Sequence, residues 1–228
     1  MRFGKIDYLN LLPFEVFIRR YPMPPQFRLF YKKRKSYPAK LNKEFLFSRI
    51  DGGFISSIMA SKKGNFLALK AGIIARKKVM SVVCFTNERG EDYQSATSNA
   101  LLKVLDLKGR VLIGDKALKE VLHREKKDYI DLAEFWVKKE HLPFVFGRLC
   151  VRKNKEFYEK MVRSFVKKPI KIPYFIIEKY AKSSEIDKQD ILEYLQYISY
   201  KIDKKASLGV ERFYRKLRLA HISAPKRF

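Results

Sequence analysis

The stretch MSVVCFTNERGEDYQSATSNALLKVL, Met80 to Leu105, runs through three kinds of sequence in succession. MSVVCF is an apolar run with β-branched residues and reads as a strand. NERGEDYQ is polar, contains a glycine, and reads as a crossing from one lobe into a second. SATSNALLKVL sets Ser95, Thr97, Ser98 and Asn99 ahead of leucines at helical spacing, a helix start crowded with hydroxyls. A strand, a crossing and a polar helix start are the parts of an α/β protein whose two lobes enclose a cleft.

Upstream, strand and helix signals alternate with short connections. RFGKIDYL reads as a strand, and LPFEVFIRRY as a short helix with Pro13 in its first turn. QFRLFYK reads as a strand and YPAKLNKEFLFSRI as a helix with Leu41, Phe45 and Leu46 on one side. GGFISSI is a strand running into a helix start, and FLALKAGIIARK a further strand.

Downstream come the strand RVLIG and the helix DKALKEVLH, with Asp115 expected as its N-cap. The amphipathic helix IDLAEFWVKKEH ends before Pro143, and PFVFGRLCVR is a strand that runs back toward the first lobe. From Lys153 onward four amphipathic stretches read as packing helices. The lobes are therefore expected as residues 1–86 with 147–228, carrying the C-terminal helices, and a shortened second lobe of residues 87–146.

Composition bounds the partner. With 50 Lys and Arg against 24 acids, the net charge of +26 draws anions toward the whole surface. The basic residues are spread along the chain, densest in YKKRKSYPAK at 31–40, with no zinc-finger, aromatic RNA-binding or basic-zipper pattern, so nucleic acid is not the expected partner. Cys84 and Cys150 lie in apolar runs and read as buried thiols. With only His123, His141 and His221 beside them, no metal site is expected. The amino terminus lacks the apolar core of a signal peptide and no stretch reaches the length of a membrane span, which makes the cytoplasm the expected location.

Candidate functional residues gather where strands end. Asn10 closes the first strand, with Tyr8 two residues earlier on the same face. Ser56 and Ser57 end GGFIS, Ser81 opens SVVCF, Thr97 and Ser98 open a helix, and Gly114 with Asp115 ends VLIG. Phe144 and Phe146 follow the Leu142–Pro143 turn, where they could line the cleft, whereas Trp136 reads as core. Helix starts at Ser56/Ser57 and at Thr97/Ser98 would offer N–H groups to two anionic groups, which points to a dianionic ligand, although ordinary capping uses the same residues.

These motifs also occur in a familiar order: Tyr8-Leu9-Asn10 followed by Leu12-Pro13, then PAKLN, IDGGFISSI, MSVVCF, SATSNALL, LIGDKAL and LPFVFGRLCVR. Over roughly its first two thirds the chain resembles the chorismate dehydratase family of the futalosine route to menaquinone. That resemblance implies a type II periplasmic-binding-protein-like fold in a cytoplasmic lyase without a cofactor. Its substrate is chorismate, a small dianion that loses water to give 3-[(1-carboxyvinyl)oxy]benzoate. Asn10, Ser57, Ser81, Thr97 and Ser98 match the polar cleft residues, and Asp115 matches the acid of the IGD turn. Asn10 and Ser81 are the expected catalytic residues, with Tyr8, Ser56, Ser57, Thr97, Ser98, Gly114, Asp115 and Phe144 holding the substrate.

The chain departs from the family's pattern in two places. The interval between ALLKVL and VLIGD is short, and ARKKVMSV carries Lys77 and Lys78 in a turn that usually contains glycine, where they could approach the ligand. Two alternatives share the fold: the 1,4-dihydroxy-6-naphthoate synthase of the same pathway, expected to use a histidine base, and a non-catalytic small-anion binding protein. No histidine here falls in a strand-end motif, which favours the dehydratase.

Overall fold

A computed structural model describes residues 1–33, 35–61 and 64–224, without the side chains of Lys33 and Lys35, so the basic cluster at 31–40 lies partly outside the described residues. In chain order the elements begin with β1 (Phe3–Ile6), a 3-10 turn at Leu9–Leu11, α1 (Leu12–Arg20), α2 (Pro25–Lys33), β2 (Lys35–Ser36) and α3 (Pro38–Leu46). They continue with β3 (Gly52–Ser56), α4 (Ser57–Ala60), β4 (Leu67–Ala75), β5 (Val82–Phe85), α5 (Ala96–Val104), β6 (Arg110–Ile113) and α6 (Gly114–Leu122). The rest are β7 (Ile130–Asp131), α7 (Leu132–Glu140), β8 (Phe144–Val151), α8 (Lys155–Phe165), α9 (Tyr174–Ser184), α10 (Lys188–Gln196), β9 (Ile198–Lys201) and α11 (Lys204–Leu219).

The strands form two sheets, one of six in the order β2-β1-β3-β8-β4-β9 and one of three in the order β6-β5-β7. β8 returns antiparallel between β3 and β4, from Gly52 opposite Val151 to Ser56 opposite Gly147 along β3. Two connections therefore join the sheets: residues 76–81, between β4 and β5, and residues 141–143, between α7 and β8.

This placement corrects the expected boundary at residue 87. β5 belongs to the smaller sheet, where Val82 to Phe85 pair antiparallel with Ile113 to Arg110 and Val83 stands opposite Asp131. An apolar run announces a buried strand without saying which sheet will bury it. On the return, β8 is already in the larger sheet at Phe144, ahead of the expected residue 147.

Two further expectations change. QFRLFYK is helical: Pro25 starts α2, and Phe27 with Tyr31, four apart, stack at 5.7 Å while Arg28 and Leu29 face solvent. Its Phe27-Leu29-Tyr31 alternation imitated a strand. The C-terminal region is not purely helical either, since Ile198–Lys201 forms the edge strand β9 against β4.

Packing follows from the aromatic content. Phe14 meets Phe54 and Phe165 edge-on at 5.0 Å, and Phe3 lies against Phe27 at 5.3 Å, covering one face of the larger sheet. Trp136 is fully buried between Phe144 and Phe213, in the core as its helix predicts. Cys84 and Cys150 are buried free thiols, and burial pushes the Cys150 thiol up to about 12. Among the described residues no helix is long and apolar enough to cross a membrane.

Candidate active-site cleft

The cleft between the sheets is built first from the end of β1. Tyr8 keeps an extended backbone, and the 3-10 turn that follows buries Leu9 and Leu11 and leaves Asn10 at the cavity wall. Two distant groups hold this turn. Asp115 Oδ1 accepts from the Leu9 N–H at 3.0 Å, and the Tyr200 hydroxyl donates to the Asn10 carbonyl at 2.5 Å. The Asn10 Oδ1 is buried and has no hydrogen-bond partner among the described residues.

From the larger sheet β3 delivers Ser56, which exchanges two hydrogen bonds with Asn42: its Oγ accepts from Asn42 Nδ2 at 2.7 Å and its N–H donates to Asn42 Oδ1 at 3.0 Å. From the smaller sheet come Ser81, at the start of β5, and the first turn of α5. Ser95 caps α5 by accepting from the Ser98 N–H at 3.1 Å, and its hydroxyl donates to Ser98 Oγ at 2.7 Å. Ser81 accepts the Tyr194 hydroxyl at 2.8 Å, and its carbonyl accepts from the Gly114 N–H at 2.9 Å.

Gly114 has φ +70°, and a Cβ there would stand 2.9 Å from the Tyr8 ring. Glycine therefore lets α6 start with the ring lying against its backbone. The Tyr8 hydroxyl donates to Gln94 Oε1. Burial, with Asp92 and Asp115 nearby, raises its pKa well above the ordinary phenol value and keeps it protonated. Burial likewise pushes the Asp115 carboxyl up to about 6, the Leu9 N–H opposing the shift and Asp7 adding to it.

The resulting cavity measures about 50 Å³ and carries no charged side chain in its lining. Of the residues expected from sequence, Tyr8, Asn10, Ser56, Ser81, Ser98 and Gly114 line it. Ser95, which sequence reasoning did not select, lines it too; its signal was its N-cap position three residues before Ser98.

Four expected ligand contacts are placed otherwise. Ser57 donates its hydroxyl to the Val145 carbonyl at 2.5 Å, and Thr97 Oγ1 accepts the Ile58 N–H at 3.2 Å. α4 is only four residues long and one of its first N–H groups is taken by Thr97, so Thr97 ties the start of α5 to α4 while Ser57 ties α4 to β8. Asp115 lies within the first turn of α6 rather than at its N-cap, and its bonded oxygen serves the Leu9 turn. Phe144 sits one layer back, 4.7 Å from Phe146, and Phe146 is the ring that reaches the cavity.

Lys77 and Lys78 also stay out of the lining. Lys77 is exposed, and the Lys78 ammonium lies 4.4 Å from the centre of the Tyr197 ring. His123, His141 and His221 are all exposed, away from the cleft. Among the described residues no group of three or more His, Cys, Asp or Glu is gathered to hold a metal ion.

Two sheets flanked by helices and joined by paired connections around a cleft define the periplasmic-binding-protein-like class. A crystal structure from Archaeoglobus fulgidus aligns with a TM-score of 0.68 at 14% identity, covering 97% of each chain. The alkanesulfonate-binding protein of Xanthomonas axonopodis pv. citri bound to MOPS aligns with a TM-score of 0.58 at 10% identity, covering 99% of this chain and 94% of that one. These likenesses establish the fold.

The sequence narrows the class. It matches the family model for menaquinone biosynthesis over residues 1–110 and 103–219. It is 43% identical over 215 residues to the chorismate dehydratase of Campylobacter jejuni subsp. jejuni serotype O:23/36 (strain 81-176), covering 93% of this chain and 96% of that protein. The chain belongs to the menaquinone biosynthesis family.

Proposed function

We propose that this protein is a chorismate dehydratase, converting chorismate to 3-[(1-carboxyvinyl)oxy]benzoate and water. The observation that carries the reading, beside the 43% identical relative, is the unpartnered Asn10 Oδ1 in a cleft of hydroxyl groups. Because that oxygen stands at the cavity wall, it is open to a hydrogen bond from a ligand group. The futalosine route and a cytoplasmic location belong to the same reading.

The reaction breaks the C3–H bond, places its electron pair in a new C3–C4 double bond, and expels hydroxide from C4, closing an aromatic ring. Proton and hydroxide leave together as water, and no electron acceptor is needed. Asn10 has an amide, which orients the ring or steadies the departing oxygen but does not remove a proton near neutral pH. A carboxylate of the substrate itself is then the group left to take the C3 proton. Ser81, Ser95 and Ser98 supply hydroxyl groups from one wall and Tyr8 and Ser56 from the other, positioning the dianion without a formal charge in the lining.

A cavity of about 50 Å³ holds only a few water molecules. The two sheets therefore have to part along residues 76–81 and 141–143 to admit a ring with two carboxylates. The exposed positions of all three histidines favour the dehydratase over the naphthoate synthase reading.

The test is incubation of the purified protein with chorismate, followed by mass spectrometry for a product lighter by one water and ultraviolet spectra for a new benzoate ring. Conversion is the expected result. Chorismate recovered unchanged, beside an active control dehydratase, overturns the proposal in favour of the synthase or a binding protein.

A further inference from the structure

Ser81 stands at the cavity wall, and the group behind it comes from the far end of the chain. Tyr194, on α10, has no solvent exposure, and its hydroxyl donates to Ser81 Oγ at 2.8 Å. Among the described residues Ser81 is the hydroxyl's hydrogen-bond partner, and none of them accepts the Ser81 proton. We propose that Tyr194 is a positioning residue that occupies one lone pair of Ser81 and so turns the Ser81 proton into the cleft, toward an oxygen of the substrate. This assignment rests on the dehydratase reading and adds to it the direction in which Ser81 acts.

The direction follows from counting donors. A hydroxyl gives one proton and accepts through its lone pairs. If Ser81 donated to Tyr194 instead, the phenolic proton would be left in the core without an acceptor, a costly arrangement for a buried group. With Tyr194 donating and no other acceptor among the described residues, the Ser81 proton is left to the cavity. The phenol keeps its proton throughout the working range, because burial raises its pKa far above the ordinary value. A hydroxyl that accepts one hydrogen bond also becomes a stronger donor in the next, so the pair suits an oxygen that gains negative charge.

Tyr200, six positions further along, holds the Asn10 carbonyl in the same manner. The C-terminal region thus supports both walls of the cleft. Tyrosines at helical spacing in LEYLQYISY gave no sequence signal of this, because such spacing reads as core.

The experiment is a double-mutant cycle on chorismate turnover with Tyr194→Phe, Ser81→Ala and the pair, with Tm measured for each. Tyr194→Phe is expected to lower kcat about tenfold while KM stays within about twofold. In the Ser81→Ala background the same change is expected to have almost no effect on kcat, because the proton it directs is gone. Losses that multiply independently, or a Tyr194→Phe enzyme with wild-type kcat, overturn the assignment. So does a fall in kcat that appears equally with and without Ser81 and tracks a lowered Tm, the mark of a packing role. A wild-type protein that returns chorismate unchanged overturns the dehydratase reading and this assignment with it.

Discussion

β1 separates two openings of opposite character. Ile6 and Tyr8 face the cleft, a cavity of about 50 Å³ lined by hydroxyl and apolar groups. Lys5 and Asp7 face a groove of about 610 Å³ bordered by Arg19, Arg28, Lys32 and Lys179. Size and charge both single out the groove, above all in a chain of net charge +26 that attracts anions.

Hydrogen-bond accounting reverses that choice. On the groove floor Lys5 Nζ meets Glu15 Oε2 at 2.6 Å and Asp7 at 3.3 Å, Arg19 meets Glu15 Oε1 at 2.5 Å, and the Tyr180 hydroxyl donates to Glu15 Oε2 at 2.6 Å. These groups spend their capacity on one another. The cleft instead keeps Asn10 Oδ1 unpaired, and the Ser81 proton without an acceptor, among the described residues. An unpartnered amide oxygen at the cavity wall, more than charge or volume, supports placing the ligand in the cleft.

Replacing Asn10 is the strongest way to break this contrast. Asn10→Ala is expected to lower kcat by about a hundredfold or more, the order seen when a preorganised hydrogen-bonding group is removed, with the thermal midpoint nearly unchanged. Glu15→Gln in the groove should do the reverse, lowering stability and sparing turnover. An Asn10→Ala enzyme with full activity would remove the ground for placing the site in the cleft.

Two buried carboxyls, Glu15 on the groove floor and Asp115 behind the cleft turn, give pH dependences of opposite sign. Burial alone would raise the Glu15 carboxyl, but hydrogen bonds from Lys5, Tyr180 and Arg19 outweigh it and hold it at about 2 against an ordinary 4.5. Glu15 therefore stabilises the fold fully above pH 4.5, and that contribution, about 3 kcal/mol, is lost as the pH falls toward 2. Asp115, raised from 3.8 to about 6, acts the other way: its ionisation costs stability as the pH rises from 3.8 through 6, again about 3 kcal/mol. Urea midpoints across pH should show Glu15→Gln flattening the low-pH rise and Asp115→Asn flattening the decline above it. An unchanged slope in either variant would sink the corresponding claim.

The smallest of these effects concerns Gly114. Gly114→Ala puts a Cβ within 2.9 Å of the Tyr8 ring at φ +70°, which should cost about 1–2 kcal/mol of stability. Because Tyr8 lines the cleft, KM should rise as well. A variant with wild-type KM would mean that the Tyr8 ring does not touch the substrate.

Much of this was legible in the sequence. The strands before Tyr8, at Gly52–Ser56 and before Gly114 and the helix capped by Ser95 were identifiable because apolar periodicity and capping are local properties. The first strand, however, stops at Ile6, and Asn10 lies in a 3-10 turn instead of closing it. QFRLFYK was misread because a short run of aromatics fits a period of two or of 3.6 almost equally well. The supporting tyrosines were silent, since Tyr194 lies 113 positions from Ser81 and Tyr200 lies 190 from Asn10.

By itself, then, the sequence determined the alternation of α and β elements, the family, and a short roster of polar residues at strand ends and helix starts. Only the tertiary structure decided how each of those residues is used. Ser57 and Ser81, or Thr97 and Ser98, look equivalent on the chain. Val145 and Ile58 claim one member of each pair for the scaffold, while the other is left at the cavity wall. A hydroxyl's local propensity is the same in either place, and its partner arrives from a distant segment that only the folded sheet brings within reach.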